Sequence, residues 1–201
     1  MKLAGVYLAA GTSRRMGQCK LSLPAGNLTV GSLALKTALH TSLEKIFVIT
    51  KMNDPLNWLS YELISNPKCK VLPCSKSHLG MSESLKRGIL QAQREKFDGS
   101  MVILGDQPFI TAEMLESLIN VFKKEHACDY AASYHKGKIQ PPILFRKSIF
   151  ARLLLLEGDK GAKDLLRDPA MKGKHIPMND ERSFLDLDTN QDYLKFISVY
   201  S

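Results

Sequence analysis

Apolar positions along this chain follow two alternating periods. Short continuous apolar runs, the pattern of buried strands, occupy Leu3–Leu8, Lys45–Thr50, Lys70–Pro73, Met101–Leu104, Tyr130–Tyr134 and Ile143–Phe145. Between them apolar residues return every three or four positions, the pattern of helices covering a core. Leu33, Ala34, Ala38 and Leu39 form one such set, and Leu85, Ile89 and Ala92 a second. The clearest is Met114, Leu115, Leu118, Ile119 and Phe122, introduced by Thr111 as a helix N-cap. Strands alternating with helices predict an α/β fold whose mostly parallel sheet is covered on both sides. No repeat or composition shift divides the chain, so residues 1–201 are read as a single domain.

This pattern locates the candidate chemistry. Open parallel sheets take ligands at the carboxyl ends of their strands. The run Leu3–Leu8 ends in Ala9-Ala10-Gly11, and Met101–Leu104 ends in Gly105-Asp106, so both turns are expected on one sheet edge. From Gly11 to Lys20 come hydroxyls, Arg14, Arg15, Gly17 and the lysine. Small residues with fixed positive charge suit a polyphosphate, because bare backbone N–H groups can approach it. Neither the dinucleotide fingerprint nor the P-loop is satisfied: Lys20 stands three positions beyond Gly17, not next to it. On composition alone, a phosphate loop and an ordinary glycine-containing turn both remain open. Asp106 reads equally as a turn aspartate bonding its own backbone or as a hard oxygen ligand for magnesium. Asp186 and Asp188 alternate with Leu185 and Leu187, so an extended segment would point both carboxylates one way. A helix starting near Ser82 would offer free N–H groups to an anion, with Ser82 and Ser84 available for capping or binding.

Charge narrows the ligand class. Lys and Arg number 28 against 20 Asp and Glu, favouring anionic partners. The basic residues are scattered and not interleaved with aromatics, which argues against a nucleic-acid surface and for a small anion. No run approaches the roughly 18 apolar residues of a membrane span. Cys19, Cys69, Cys74 and Cys128 lack disulfide-framework or zinc spacing, which fits reduced thiols in a cytoplasmic protein. The five histidines form no hydrolytic triad pattern; His78, near Gly80, is the one set close to a candidate loop.

Leu8-Ala9-Ala10-Gly11, Ser13, Arg15-Met16-Gly17 and Lys20 together resemble the signature loop of the molybdenum cofactor nucleotidyltransferases, within the MobA-like NTP transferase family. Further segments resemble that family in the same order: Gly80-Met81-Ser82-Glu83-Ser84-Leu85, Leu104-Gly105-Asp106-Gln107-Pro108 and Pro141-Pro142-Ile143-Leu144-Phe145. Gly158-Asp159-Lys160-Gly161-Ala162 and Asp186-Leu187-Asp188-Thr189 complete the set. The resemblance implies a three-layer α/β/α sandwich with a Rossmann-like sheet, of the nucleotide-diphospho-sugar transferase type. It also implies transfer of a nucleotide from CTP to the molybdopterin cofactor, with Mg2+ as the metal and pyrophosphate released. The product would serve a molybdoenzyme of the xanthine dehydrogenase type or its accessory chaperone.

Carried onto this chain, the resemblance makes Arg15, Lys20 and Asp106 the catalytic residues. Nucleotide binding falls to Leu8, Ala9, Ala10, Gly11, Gly17, Lys20, Gly80, Met81 and Ser82. Asp106 and Asp188 become the metal ligands, with Asp186 the alternative to Asp188. Acceptor binding falls to Pro141, Pro142 and Lys163; related enzymes usually carry arginine where Lys163 stands. Ala10 points to cytosine, since guanylyl-transferring relatives usually place glycine there. Other expectations compatible with these residues are a guanylyltransferase or a sugar- or polyol-phosphate nucleotidyltransferase of the same fold, and a non-catalytic protein that hands over the cofactor.

Overall fold

A computed structural model describes residues 1–11, 16–159 and 161–200. In chain order the strands and helices are β1 (Leu3–Leu8), β2 (Pro24–Ala25), β3 (Leu28–Thr29), α1 (Val30–Leu39), β4 (Lys45–Lys51), α2 (Tyr61–Ile64) and β5 (Cys69–Cys74). There follow α3 (Met81–Arg94), β6 (Gly99–Leu104), α4 (Ala112–Lys124), β7 (Tyr130–His135), β8 (Lys138–Arg146), α5 (Phe150–Leu153), α6 (Lys163–Leu166), β9 (Gly173–Pro177) and α7 (Asn190–Tyr200). Among the described residues seven strands form one sheet in the order β5-β4-β1-β6-β8-β7-β9. β8 pairs antiparallel with both β6 and β7, while the remaining pairings are parallel.

Side-chain alternation on the central strand builds the layers. Leu3 and Tyr7 of β1 enter one apolar cluster with Leu35 and Ala38 of α1 and Leu115 and Leu118 of α4. Ala4 and Val6, on the other face, join Leu85 and Ile89 of α3 and Phe150 of α5. The sheet is therefore covered on both faces, as the two periods in the sequence require. α3 lies very close to β1: a Cβ at Gly88 would stand 2.4 Å from Val6 Cγ1, so the approach depends on that glycine. α4 starts where its cap predicts, with Thr111 Oγ1 accepting from Met114 N at 3.1 Å.

Two sequence expectations change. The Pro141-Pro142 pair lies inside β8 and not ahead of it. The β7–β8 register passes from Ala132↔Ile143 to Ser133↔Gln140, so the two prolines fall in the irregularity and owe no N–H to the ladder. The peptide between them is cis. β9 and the short β2–β3 hairpin appear where no apolar run announced a strand.

A third apolar cluster, of Met16, Leu23, Ala25, Val30, Leu33, Leu187 and Phe196, fixes α7 against the opening loops. It ties the end of the signature loop to the segment carrying Asp186 and Asp188. Among the described residues no helix is long and apolar enough to cross a membrane.

Candidate active site

After β1 the chain turns to β4 on one side, while β6 lies on the other, so the strand order reverses beside β1. Such a switch point leaves a crevice at the strand ends. Two backbone bonds shape it here. Ala9 N donates to Ile49 O of β4 at 2.9 Å, and Gly105 N donates to Leu8 O at 3.0 Å, the first tying the turn after β1 to β4 and the second drawing it to the turn after β6. The resulting cleft of about 380 Å³ is lined by Leu8, Ala9, Ala10, Gly11, Lys20, Gly80, Met81, Asp106 and Asp188, with His78 and Asp159 also on its wall.

Lys20 opens a single 3₁₀ turn, Lys20–Ser22, anchored by the buried Leu21. Its ammonium donates to Asp106 Oδ2 at 2.5 Å and to Asp188 Oδ1 at 3.0 Å. The lysine side chain is 12% exposed, against 20% for Asp106 and 45% for Asp188, so the cluster opens to the cleft on the Asp188 side. Burial alone would lower the lysine pKa, but the two carboxylates outweigh it and hold the ammonium protonated above its usual range.

The two aspartates of the Asp186-Leu187-Asp188 segment part company. Leu187 is fully buried, and its N–H donates to Asp106 O at 3.1 Å, which docks the segment on the Asp106 turn. Asp188 reaches Lys20. Asp186 instead accepts from Gln107 Nε2 at 2.9 Å. Its carboxyl is pushed up to about 6, first by the protein packed around it and then by the neighbouring Asp106 charge. Gln107 is itself buried, so this amide acts as a fixed strut.

Across the cleft α3 begins one residue earlier than expected, leaving Ser82 inside the first turn and Gly80 at the cap. Gly80 takes φ +126°, and a Cβ there would stand 2.7 Å from the Gly158 carbonyl. Only glycine accommodates both demands. Ser82 N donates to Gly158 O at 3.1 Å, and Met81 N to Asp159 Oδ1 at 3.0 Å. The electropositive helix end is thus met by a carboxylate from a distant loop, a partner that no local sequence signal announced.

Lys20, Asp106 and Asp188 come together, and the small residues after β1 share their cleft with Gly80 and Met81. Ser82 is buried behind that wall. Gly17, at φ +65°, is absent from the residues lining the cleft, as are Pro141, Pro142 and Lys163, the last of these exposed at the start of α6. Arg15, with Ser13 and Arg14, lies outside the described residues, as does Lys160.

The donor set suits magnesium. That ion is usually held by one or two carboxylates completed by phosphate oxygens and water. Asp106 and Asp188, whose oxygens already converge on one cation, fit it. Among the described residues no group of three or more His, Cys, Asp or Glu could cage an ion unaided. The phosphates of a substrate would have to supply the remaining oxygens.

A switch-point cleft with small-residue loops, a partly buried lysine and two convergent carboxylates is the layout of an α/β enzyme that handles nucleotides. The chain belongs to the MobA-like NTP transferase family, whose domain model matches residues 5–176, and is a nucleotidyltransferase of that family. It is 33% identical to the purine catabolism protein PucB of Bacillus subtilis over 196 residues, covering 95% of this chain and 94% of that protein. A probable molybdenum cofactor guanylyltransferase of Mycobacterium tuberculosis is 31% identical over 123 residues, 58% of this chain and 54% of the relative. Among solved structures, the Rv0371c homologue from Mycobacterium sp. strain JC1 superposes with a TM-score of 0.81 at 27% identity, covering 100% of this chain and 98% of that one.

Proposed function

We propose that this chain, acting as a single cytoplasmic domain over residues 1–201, transfers CMP from CTP to the molybdopterin cofactor. The products are molybdopterin cytosine dinucleotide and pyrophosphate, in support of a xanthine dehydrogenase-type molybdoenzyme. The observation that carries the reading is the single cluster of Lys20, Asp106 and Asp188 beside the glycine-containing turn. Likeness over nearly its whole length to a purine catabolism protein supports the receiving-enzyme class.

In the proposed reaction an oxygen of the acceptor's terminal phosphate attacks the α-phosphorus of CTP in line. The new bond is oxygen to α-phosphorus; the bond broken joins α-phosphorus to the bridging oxygen, which leaves with the pyrophosphate and its electron pair. A phosphate acceptor is already ionised near neutral pH, so no general base is required. Catalysis then rests on positioning and charge stabilisation. Backbone N–H groups about Gly11 and Gly17, with Arg15, hold the β and γ phosphates. Lys20 lies against the α-phosphoryl group and the departing oxygen, a point charge on a flexible stem. Leu8, Ala9, Ala10, Gly80 and Met81 form the wall of the nucleotide pocket, with Ser82 buried behind it, and Pro141, Pro142 and Lys163 are assigned to the acceptor side. Asp106 and Asp188 would hold magnesium, which supplies Lewis-acid neutralisation of phosphate charge when bound.

The Ala10 methyl narrows the approach to the base and favours the smaller pyrimidine. The likeness to probable guanylyltransferases favours GTP. Product formation with CTP and GTP, measured side by side on the same acceptor, decides between them. At least a tenfold preference for CTP is expected, and equal rates defeat the cytosine assignment. An Asp106→Ala variant that still activated the receiving molybdoenzyme in full would replace catalysis with cofactor handover.

A further inference from the structure

We infer that Asp192 is a positioning residue for Asp188, acting through the backbone that carries the metal carboxylate; this rests on the metal role proposed above for Asp188. The start of α7 is unusual. Thr189 and Asp192 form a reciprocal pair: Asp192 N donates to Thr189 Oγ1 at 3.2 Å, while Thr189 N donates to Asp192 Oδ2 at 2.8 Å. A capping box requires no more than those two bonds. Here the same oxygen, Asp192 Oδ2, also accepts from the Thr189 hydroxyl at 2.7 Å and from Asp188 N at 3.3 Å. The last bond lies outside the helix and reaches the peptide of the residue that meets Lys20; Asp188 N shares its proton between Asp192 Oδ2 and Asp186 O, the latter at 3.1 Å, so Asp192 ties that local turn to α7.

That peptide is held from its other end as well. Leu187 N is bonded to Asp106 O, and Leu187 is packed with Phe196 of α7, both fully buried. The Asp188 side chain is 45% exposed, so packing does little to choose its direction. Its aim is set by the Lys20 ammonium at its tip and by the backbone at its root, and Asp192 ties that backbone to α7.

The test uses the full chain and manganese alone, with free Mn2+ followed by electron paramagnetic resonance. Asp192→Ala is expected to weaken Mn2+ binding at least tenfold. Asp192→Asn, which keeps one acceptor oxygen, should recover most of that affinity, to within about threefold of the unmodified protein. The constants are read well below each variant's melting transition, so a general loss of helix stability does not enter them. Unchanged Mn2+ affinity in Asp192→Ala overturns the inference. Should that variant fail to fold, Thr189→Val, which removes the hydroxyl held by Asp192 Oδ2, takes its place: a wild-type Mn2+ constant there overturns the inference, and one weakened more than threefold sustains it. Asp188→Asn separates the two levels. If it leaves Mn2+ binding intact, the metal reading of Asp188 fails and takes this inference with it. If it abolishes binding while the Asp192 variants do not weaken it, only the role of Asp192 falls.

Discussion

Replacing Lys20 with methionine is the sharpest probe of this site, because it nearly keeps the length of the side chain and removes one charge. The ammonium lies 2.5 Å from Asp106 Oδ2 and 3.0 Å from Asp188 Oδ1, distances that together cap the separation of those two oxygens at about 5.5 Å. Two like charges that far apart repel by about 3 kcal/mol at an effective dielectric constant of 20. Partial exposure on the Asp188 side screens the pair, so a net loss of about 1–2 kcal/mol is expected in metal-free buffer. For a chain of this size that lowers the melting temperature by roughly 2–8 °C. Divalent metal should reverse the loss, since the ammonium and the metal compete for the same oxygens. Lys20→Met should therefore bind Mn2+ more tightly than the parent while losing at least a hundredfold in turnover, the scale on which transition-state charge stabilisation is lost. Calorimetric Mn2+ titration and a melting series in magnesium read both effects. A variant that binds Mn2+ no better than the parent, or melts identically with and without metal, would refute the reasoning.

Two further predictions concern stability. Gly88→Ala drives a methyl group into Val6 at the α3–β1 contact and should cost about 1–3 kcal/mol, the usual range for overpacking; an unshifted urea midpoint would contradict it. Asp186 titrates near 6 in the fold and near the ordinary carboxylate value when unfolded, so the native state binds the extra proton between about pH 4 and pH 6. Its contribution is full below that window and lost as pH rises through 6. Asp186→Asn, which mimics the protonated form, should flatten the pH dependence of the urea midpoint across the window and raise stability at pH 7 in metal-free buffer. Parallel profiles for the two proteins would count against this assignment.

The fold was legible where periodicity was clean. Met101–Leu104 and Leu3–Leu8 read as buried strands because nothing charged interrupts them, and Thr111 announced α4 because its hydroxyl has one obvious use. β9 was hidden: Gly173-Lys174-His175-Ile176-Pro177 is a partly exposed edge strand with no apolar run to read. The upstream half of β8 was masked by prolines that the β7–β8 irregularity excuses from pairing. In the site, strand endings predicted that the Gly11 turn and Asp106 share an edge. Lys20 and Asp188 lie 168 positions apart, and only the resemblance of two remote motifs joined them in advance. Asp159, 78 positions from Met81, also stood in a motif of the resemblance, but nothing in the residues assigned it to the α3 terminus, because a carboxylate that caps a helix from another loop looks like any surface aspartate. The alternating Asp186-Leu187-Asp188 pattern did not distinguish the two carboxylates; their partners do, Gln107 holding the first while the second reaches Lys20.

The family match stops at residue 176, yet Asp188, Asp192 and all of α7 lie downstream of it. A fragment cut at that point would retain nearly all of the seven-stranded scaffold while surrendering half of the carboxylate pair and the apolar pin beneath Met16. Chimeras that exchange specificity between relatives must therefore carry the stretch from residue 177 onward as one inseparable cassette with the opening turn.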